Sequence, residues 1–475
     1  MSMEAVLSFL DSEVPQATLG LVYGRRRIGK STLLSRVASD RGGFYWEATR
    51  TASAVHLARL GGAIGAHLGT GPLQLDDWDD AVRALLRLGS SPIPVVIDEF
   101  GHVLEADPSV ASVIASALGP DARQSNDSQA RLILCGSAIA MMQSLTSGQA
   151  PLRGRAGLEL LMRADDHRQA RRWLDTNTSL ALTMRLYCVI GGVVGYATDM
   201  VDHDLPVALY DVDRWITQRV LSPSATLHHE ATTLLAEDPT VTHASNPALY
   251  HAVLGSIARG SQTAGSISSR VRRPVSNLAP ILNRLVDAGF VVRHDDPIRS
   301  QRPTYALADP FLQFHYAVLE PHTALLRDRD VLHTWQTRLT ATFDAQVKGP
   351  VFEEVARDWV RRYAADETLG GMPTNVGPSE VTVAGVAHQL DVVVADGQAQ
   401  PSDRQVLAIG EAKSAEILEV AHLQRLEHAR TAYGARAADA RLLLFGQTMD
   451  RALAKEATSR DDVELVDLQR LYTGD

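Results

Sequence analysis

Short apolar segments alternate with amphipathic ones along the first third of the chain. Residues 19–23, 93–97 and 132–135 are almost wholly apolar, as expected of strands that a parallel sheet buries on both faces. Residues 78–88 carry apolar side chains at helical spacing, and so does the segment that begins at Leu33. Strands that alternate with helices in this way predict an α/β fold with a parallel sheet.

The first apolar segment runs directly into a glycine-rich loop. Gly24, Gly29, Lys30 and Ser31 match the phosphate-binding pattern G-x-x-x-x-G-K-[ST], between a predicted strand and a predicted helix. The glycines let backbone N–H groups approach phosphate oxygens, the lysine reaches the β- and γ-phosphates, and the serine hydroxyl ligates Mg²⁺. We therefore predict a nucleotide-binding loop. Its expected nucleotide contacts are Gly24, Arg25, Arg26, Arg27, Ile28, Gly29, Lys30, Ser31 and Thr32.

Polar residues follow the other two apolar segments. Asp98 and Glu99 come after the second, where Asp98 is expected to hold Mg²⁺, directly or through water, and Glu99 to polarise the attacking water. Ser137 comes shortly after the third. Because ligands bind at the carboxyl ends of strands in open α/β sheets, Ser137 is a candidate sensor of the γ-phosphate. The alternative is an ordinary turn serine.

The length, net charge and cysteine content of the chain limit its domain number, its partners and its compartment. A chain of 475 residues is expected to form roughly two to four domains. The net charge of −10 gives no general attraction to nucleic acid or anionic membranes, so such contacts need local basic patches. Cys135 and Cys188 are too few for a disulfide or zinc framework and indicate a reducing compartment. With no signal-peptide pattern and no apolar stretch long enough to span a bilayer, we expect a cytoplasmic protein.

From about residue 246 the pattern becomes three short helices and two short strands. The helices are expected at residues 249–258, 263–271 and 274–288, and the strands at 289–293 and 303–307, which together describe a winged helix-turn-helix. A winged helix used only for packing or oligomer contacts is the alternative. The candidate DNA-contacting residues are Arg270, Arg272, Arg273, Asn277, Asn283, Arg284, Arg293, Arg299 and Arg302.

A third group of polar residues lies near the carboxyl end. Glu411 and Lys413 are two apart in a predicted strand, so they share a face, and a hairpin pairing would bring Asp391 beside them. Two carboxylates would hold a hard cation that activates water, and the lysine would orient that water or stabilise developing charge. A surface carboxylate–lysine pair without activity is the alternative. The expected elements are a helix at 349–360, strands at 388–394 and 407–413, a helix at 415–433, a strand at 442–445, a helix at 451–457 and a strand at 463–466.

The motifs together resemble an archaeal and bacterial ATPase family related to AAA+ and STAND NTPases. The resemblance is carried by Gly-Arg-Arg-Arg-x-Gly-Lys-Ser, the Asp-Glu strand, Cys-Gly-Ser, and Pro-Leu-x-Gly-Arg at residues 151–155. Gly191-Gly192-Val193 resembles the family's helical-lid motif. The resemblance implies that the nucleotide is ATP and that Arg155, or Arg153, senses it, with a structural arginine as the alternative. No segment like the family's Phe-x-Gly-Arg-Glu precedes Gly24, so adenine recognition is not assigned, or the true start lies upstream.

The carboxyl-terminal pattern resembles the PD-(D/E)xK, or restriction-endonuclease-like, fold, which the same ATPase family commonly carries. This resemblance implies that Glu353, with Glu354 as its alternate, completes a metal site with Asp391 and Glu411. Expected domains are residues 1–160, a P-loop ATPase core; 161–240, a helical lid; 241–310, a winged helix-turn-helix; and 311–475, the nuclease-like domain.

Two functions are consistent with these patterns. The first is an ATP-hydrolysing protein that acts on or with DNA, whose terminal domain is a metal-dependent nuclease with Asp391, Glu411 and Lys413 as its catalytic residues. The second is a STAND-like signalling or DNA-binding regulator whose terminal domain does not cleave. ATP and Mg²⁺ are the expected cofactors and DNA is the expected partner, a membrane is not expected, and a homo-oligomer stays open.

Overall fold

The computed structural model describes residues 2–119, 127–174, 179–242, 244–300, 302–397 and 400–475, which form two compact units. Unit 1 is Met1–Ala164 with Asp238–Thr240, and unit 2 is Asp165–Glu237 with Val241–Asp475. No helix in the described ranges is both long and apolar enough to cross a lipid bilayer.

Unit 1 is built on a five-stranded sheet in which every neighbouring pair is parallel. Its strands are β1 (Thr18–Tyr23), β2 (Phe44–Glu47), β3 (Pro94–Asp98), β4 (Arg131–Gly136) and β5 (Ala156–Leu161), in the order β2-β3-β4-β1-β5. The sheet confirms the predicted α/β fold. Strands β1, β3 and β4 are wholly buried, which explains their uninterrupted apolar sequences. The edge strand β5 is only partly buried, and its weaker apolar pattern did not reveal it.

Helices pack around this sheet and supply the rest of the unit 1 core. Arg131, wholly buried at the start of β4, donates hydrogen bonds to the carbonyls of Ser12, Val14, Gln16 and Gln129, at 2.8–3.0 Å. It therefore fixes the segment that leads into β1. The helices of this unit are Ser2–Leu10, Lys30–Asp40, Ser53–Leu68, Trp78–Arg87, Phe100–Ala106, Val110–Ala117 and Ile139–Ser144.

Unit 2 begins with helices and ends on a second sheet. His167 and Arg168, at the start of its first helix, contact the carbonyl oxygen of Leu471 at 2.9 and 2.7 Å, and Arg168 also donates to the carbonyls of Arg470 and Gly474. These bonds tie its first helix to its last. The α-helices of unit 2 up to residue 343 are His167–Leu174, Leu180–Ile190, Val194–Thr198, Val212–Ile216, Thr226–Glu237, Pro247–Ala258, Ala264–Val271, Val275–Asp287, Pro310–Phe314, Thr323–Asp328, Val331–Thr334 and Thr340–Phe343. The helix Pro239–Thr242 belongs partly to unit 1 and partly to unit 2.

The structure contains the three helices and two strands that the sequence predicted from residue 249 onward. The helices Pro247–Ala258, Ala264–Val271 and Val275–Asp287 are followed by an antiparallel pair, β6 (Val291–His294) and β7 (Thr304–Leu307). The loop between the two strands is anchored, because Ile298 is only 5 % exposed and belongs to the core of the terminal sheet.

The terminal sheet contains β8 (Asn375–Val383), β9 (Val386–Ala395), β10 (Val406–Leu418), β11 (Arg441–Met449) and β12 (Val463–Val466), in the order β12-β11-β10-β9-β8. Pairs β8–β9 and β9–β10 are antiparallel, whereas β10–β11 and β11–β12 are parallel. Strand β8 was not predicted. The α-helices of unit 2 from residue 349 onward are Gly349–Arg362, Asp366–Leu369, Val420–Arg430, Arg451–Thr458 and Leu468–Thr473.

One predicted boundary in this region is wrong. The helix expected from residue 415 begins only at Val420, because β10 continues to Leu418. There Ile417 and Leu418 pair with Thr448 and Met449 of β11, and this pairing keeps the segment extended.

Candidate functional site

The carboxyl edge of the unit 1 sheet collects the predicted nucleotide-site residues. Strands β1, β4 and β3 lie side by side and run parallel, so the residues that follow them emerge at the same edge. The glycine-rich loop follows β1, Asp98 and Glu99 end β3, and Ser137 follows β4.

The loop after β1 requires glycine at both ends. A Cβ atom on Gly24 would lie 2.2 Å from the Met162 carbonyl oxygen and 2.6 Å from Ile28 Cδ1. Gly29 has a φ of 89°, in the left-handed region, and precedes the helix Lys30–Asp40. The turn therefore directs the N-terminus of that helix toward the space enclosed by the loop, where helix N–H groups favour an anion.

Lys30 is held inside this loop. Its ammonium donates hydrogen bonds of 2.8 Å to the carbonyls of Gly24 and Arg25, and the residue is only 5 % exposed. Burial lowers the pKa of Lys30, although Asp98, Glu99 and Cys135 act in the opposite direction. A phosphate at the loop would supply a negative charge to this buried cation.

Asp98 is wholly buried, and protein groups surround its carboxylate. The Tyr45 hydroxyl donates to Oδ2 at 2.6 Å, and the Glu99 backbone N–H donates to Oδ1 at 2.8 Å. Burial acts to raise the pKa of Asp98, but hydrogen bonds from Cys135, Ser31 and Tyr45 outweigh it and the pKa is lowered. Sequence reasoning missed Tyr45, because its contact depends on β2 lying beside β3.

Ser137 contacts Glu99. Its hydroxyl donates to Glu99 Oε2 at 2.9 Å, and Glu99 has a φ of 47°, in the left-handed region. The side chain that should polarise water is thus held by the side chain that should sense phosphate. Nearby, burial and the charges of Asp98 and Glu99 raise the pKa of Glu47.

The sensor arginines have backbone partners. Arg155 Nη1 donates to the Leu118 carbonyl at 3.3 Å, and Arg153 Nη1 to the Gly148 carbonyl at 2.5 Å. A nucleotide-sensing role for either arginine stays a prediction.

The side chains at this edge suit a magnesium ion. The Ser31 hydroxyl lies close enough to the Asp98 carboxylate to lower its pKa, so two oxygen ligands of the kind Mg²⁺ prefers are near each other. Across the described residues there is no group of three or more His, Cys, Asp or Glu side chains arranged to hold a metal ion. Phosphate oxygens and water would supply the remaining ligands.

The terminal sheet brings the second set of predicted residues together. Lys413 Nζ lies 3.1 Å from Glu411 Oε1 and 4.0 Å from Asp391 Oδ2. The backbone N–H of Ala412 donates to Asp391 Oδ2 at 2.9 Å. Burial and the Asp391 charge raise the pKa of Glu353 to about 7, although its side chain is 20 % exposed.

Two arginines that sequence reasoning missed lie within this cluster. Arg425, from the helix Val420–Arg430, forms an ion pair with Glu411. Arg357 donates to the Asp391 backbone carbonyl at 2.8 Å and to Glu354 at 2.9 Å. Glu354 also accepts from Arg361, so its charge is balanced by cations on its own helix. The sequence pattern around Glu353 did not indicate that either arginine would lie in this cluster.

The candidate DNA residues lie on two helices, in the segment between them, on β6 and in the β6–β7 loop. The helix Val275–Asp287 buries Leu278, Leu282 and Leu285, which leaves its polar face to solvent. Arg270 donates to the Arg259 carbonyl at 2.9 Å. Among the candidates, Arg270, Asn277, Asn283 and Arg284 are exposed on these helices, and Arg272 and Arg273 are exposed between them.

No protein-family model matches the chain. An uncharacterized protein of Methanocaldococcus jannaschii is 24% identical over 349 residues, which cover 72% of this chain and 72% of that protein. Among solved structures, a Walker-type ATPase of Pyrococcus abyssi aligns with 66% of this chain and 94% of its own, at 18% identity and a TM-score of 0.46.

Two structures from Aeropyrum pernix are also similar. The ORC2 protein in ADPNP–ADP complexes aligns with 70% of this chain and 94% of its own, at 17% identity and a TM-score of 0.40. The ORC1 protein in complex with DNA aligns with 68% of this chain and 92% of its own, at 16% identity and a TM-score of 0.30. Each TM-score lies below 0.5, so these likenesses do not determine the function of this chain.

Proposed function

We propose that the chain is an ATP-binding and ATP-hydrolysing P-loop ATPase that uses Mg²⁺ and acts with DNA. The observation that carries the proposal is the arrangement at the carboxyl edge of the unit 1 sheet. A buried lysine lies inside a glycine loop, near an aspartate whose pKa the Ser31 hydroxyl lowers and a glutamate that accepts a hydrogen bond from Ser137. The sequence resemblance supports ATP as the nucleotide.

Each side chain has a role in hydrolysis. Lys30 exchanges its carbonyl partners for the β- and γ-phosphates and neutralises charge that develops on them. Glu99 accepts the proton of the attacking water, and Ser137 orients the Glu99 carboxylate. Ser31 and Asp98 would hold Mg²⁺, which neutralises phosphate charge when bound.

Binding and turnover should be measured separately in two variants. Lys30→Ala should lose both nucleotide binding and ATP hydrolysis. Glu99→Gln should bind ATP normally and hydrolyse it about 10²–10⁴-fold more slowly, since general bases contribute about that much. Arg36→Ala, on the same helix as Lys30 and with its side chain 74% exposed, is the matched control. Wild-type turnover in Lys30→Ala would refute the assignment.

DNA binding is proposed for the exposed face of the helix Val275–Asp287 and its neighbours. Arginines there suit phosphate or guanine contacts. Charge reversal at Arg272 and Arg273 should weaken DNA binding and make it less dependent on salt. An unchanged salt dependence would assign these helices to packing.

A second candidate function is metal-dependent nucleic-acid cleavage by the terminal domain. It is favoured by one observation, the clustering of Asp391, Glu411 and Lys413 on neighbouring strands. Among the described residues, Glu353, Asp391 and Glu411 are not arranged as a metal site, so they would have to move together to hold a hard cation that activates water. Lys413 would then stabilise the charge that develops. The ion pair between Arg425 and Glu411 must open before Glu411 can ligate a metal.

Cleavage of single- and double-stranded DNA and RNA should be assayed with Mg²⁺ or Mn²⁺, with and without ATP. The nuclease proposal expects activity in wild type and in Glu416→Ala, whose carboxylate is 68% exposed on the same strand as Glu411, and none in Asp391→Ala. ATP hydrolysis without cleavage of any substrate would instead favour the STAND-like or DNA-binding regulator.

A further inference from the structure

A polar cavity lies where the β6–β7 loop meets the terminal sheet, all within unit 2. It has a volume of about 560 Å³. Arg299, Ser300 and Arg302 line the cavity from the loop. Thr382 lines it from β8, and Gln400 and Ser402 line it from the segment between β9 and β10. No aspartate or glutamate is among the described residues that line it.

The arginines of this cavity differ from those of its neighbour. In an adjacent cavity of about 280 Å³, Arg293 pairs with Asp295 and Arg361 pairs with Glu354. Within the described ranges, no hydrogen bond or ion pair engages the guanidinium of Arg299 or Arg302. Two guanidinium groups without an acidic partner form an environment suited to an anion, while the carboxylate of Asp403, which does not line the cavity, accepts from the Ser402 hydroxyl at 3.1 Å.

The part of this loop from Asp296 to Arg299 is fixed in place. Asp296 is buried and accepts hydrogen bonds from the backbone N–H groups of Ile298 and Arg299, at 3.0 and 3.2 Å. Its other oxygen accepts from Ser379 of β8 at 2.9 Å. With Ile298 buried in the sheet core, little conformational freedom would be lost on binding, which favours affinity.

We propose that this cavity binds a backbone phosphate of nucleic acid, so that the strand follows the seam between the β6–β7 loop and the terminal sheet. No aromatic side chain is among the described lining residues, and the charge of the two arginines suits a backbone phosphate. The inference rests on the proposed action with DNA and adds a second contact surface, separate from the helix Val275–Asp287.

The test measures binding of labelled single- and double-stranded DNA, each in two unrelated sequences, over a series of salt concentrations in EDTA. Arg299→Gln with Arg302→Gln should weaken binding equally for both sequences and flatten the log–log salt slope by about 2, since each lost phosphate contact contributes about 0.9. Arg338→Gln with Arg451→Gln, two exposed arginines of the same unit, removes the same charge and should leave the slope unchanged. Thermal unfolding checks that both variants are folded.

The outcomes separate the inference from the proposed function. If wild type binds DNA and the Arg299/Arg302 variant behaves like the control, the inference alone fails. If the variant loses only competition by inorganic phosphate and keeps its DNA affinity, the cavity is a free-anion site and the inference also fails. If wild type binds no DNA, the inference and the DNA-binding part of the proposed function fail together, and ATP hydrolysis is judged by the Lys30 experiment.

Discussion

Replacing Tyr45 by phenylalanine removes one oxygen atom and one hydrogen bond. That bond joins the phenol to Asp98 Oδ2 at 2.6 Å, and Asp98 is 0% exposed, so water cannot readily replace the donor. The ring stays, and no large cavity forms. A hydrogen bond to a charged group contributes about 1.5–3 kcal/mol, which we expect as the loss in free energy of unfolding. In a unit of this size that corresponds to a fall of about 3–12 °C in Tm.

The loss should depend on pH in a definite direction. The pKa of Asp98 in the folded chain is below its usual value of 3.8, so its stabilisation is full above the unfolded pKa and disappears as pH falls through the folded pKa. Tyr45→Phe should therefore be most destabilising from about pH 5 upward, and the difference from wild type should shrink below about pH 4.

Hydrogen exchange of peptides from β2 and β3 measures this effect where it arises, and a melting series from pH 3 to 8 measures its pH dependence. Tyr210→Phe, whose side chain is 85 % exposed, makes the same chemical change where no buried partner is lost. Equal stability of Tyr45→Phe and wild type at pH 7, or a difference that grows toward acid, would refute the reasoning.

Three further changes test other parts of the chain. Gly24→Ala places Cβ 2.2 Å from the Met162 carbonyl oxygen, and strain of about 1–3 kcal/mol should lower nucleotide affinity in calorimetry by roughly tenfold; wild-type affinity would contradict this. Arg131→Met removes a buried donor to four backbone carbonyls and should cost about 3–5 kcal/mol in urea denaturation, whereas exposed Arg36→Met should cost little. Because the pKa of Glu353 is raised from 4.5 to about 7, wild type should lose stability as pH rises through that window, and Glu353→Gln should abolish this slope in thermal melts; a persistent slope would assign it to another group.

The parallel sheet of unit 1 was predictable because β1, β3 and β4 are buried on both faces and therefore apolar throughout. Strand β5 lies at an edge and β8 has its side chains alternately exposed, so neither shows a continuous apolar segment. The beginning of the helix Val420–Arg430 was misplaced for a related reason, since pairing with a strand more than 20 residues away decides it.

The turn from β1 into the helix Lys30–Asp40 was predictable because its sequence pattern is local, within residues 24–31. The contacts of Tyr45 with Asp98 and of Arg425 with Glu411 join distant segments, so the spacing of residues in the sequence does not predict them. The loop at Ile298 is a similar case. Its burial depends on the terminal sheet, and no local pattern in the sequence indicates that contact.

The hydrogen bonds from His167 and Arg168 to Leu471 can form only after the ribosome has made nearly the whole chain. Arg168 and its partner Leu471 are 303 residues apart. At about 5–20 residues per second, a ribosome makes the second roughly 15–60 s after the first. During that interval the residues of unit 1 up to 164 can already fold, while the first helix of unit 2 lacks its final partners. The newly made chain can therefore complete most of unit 1 before the terminal sheet is made.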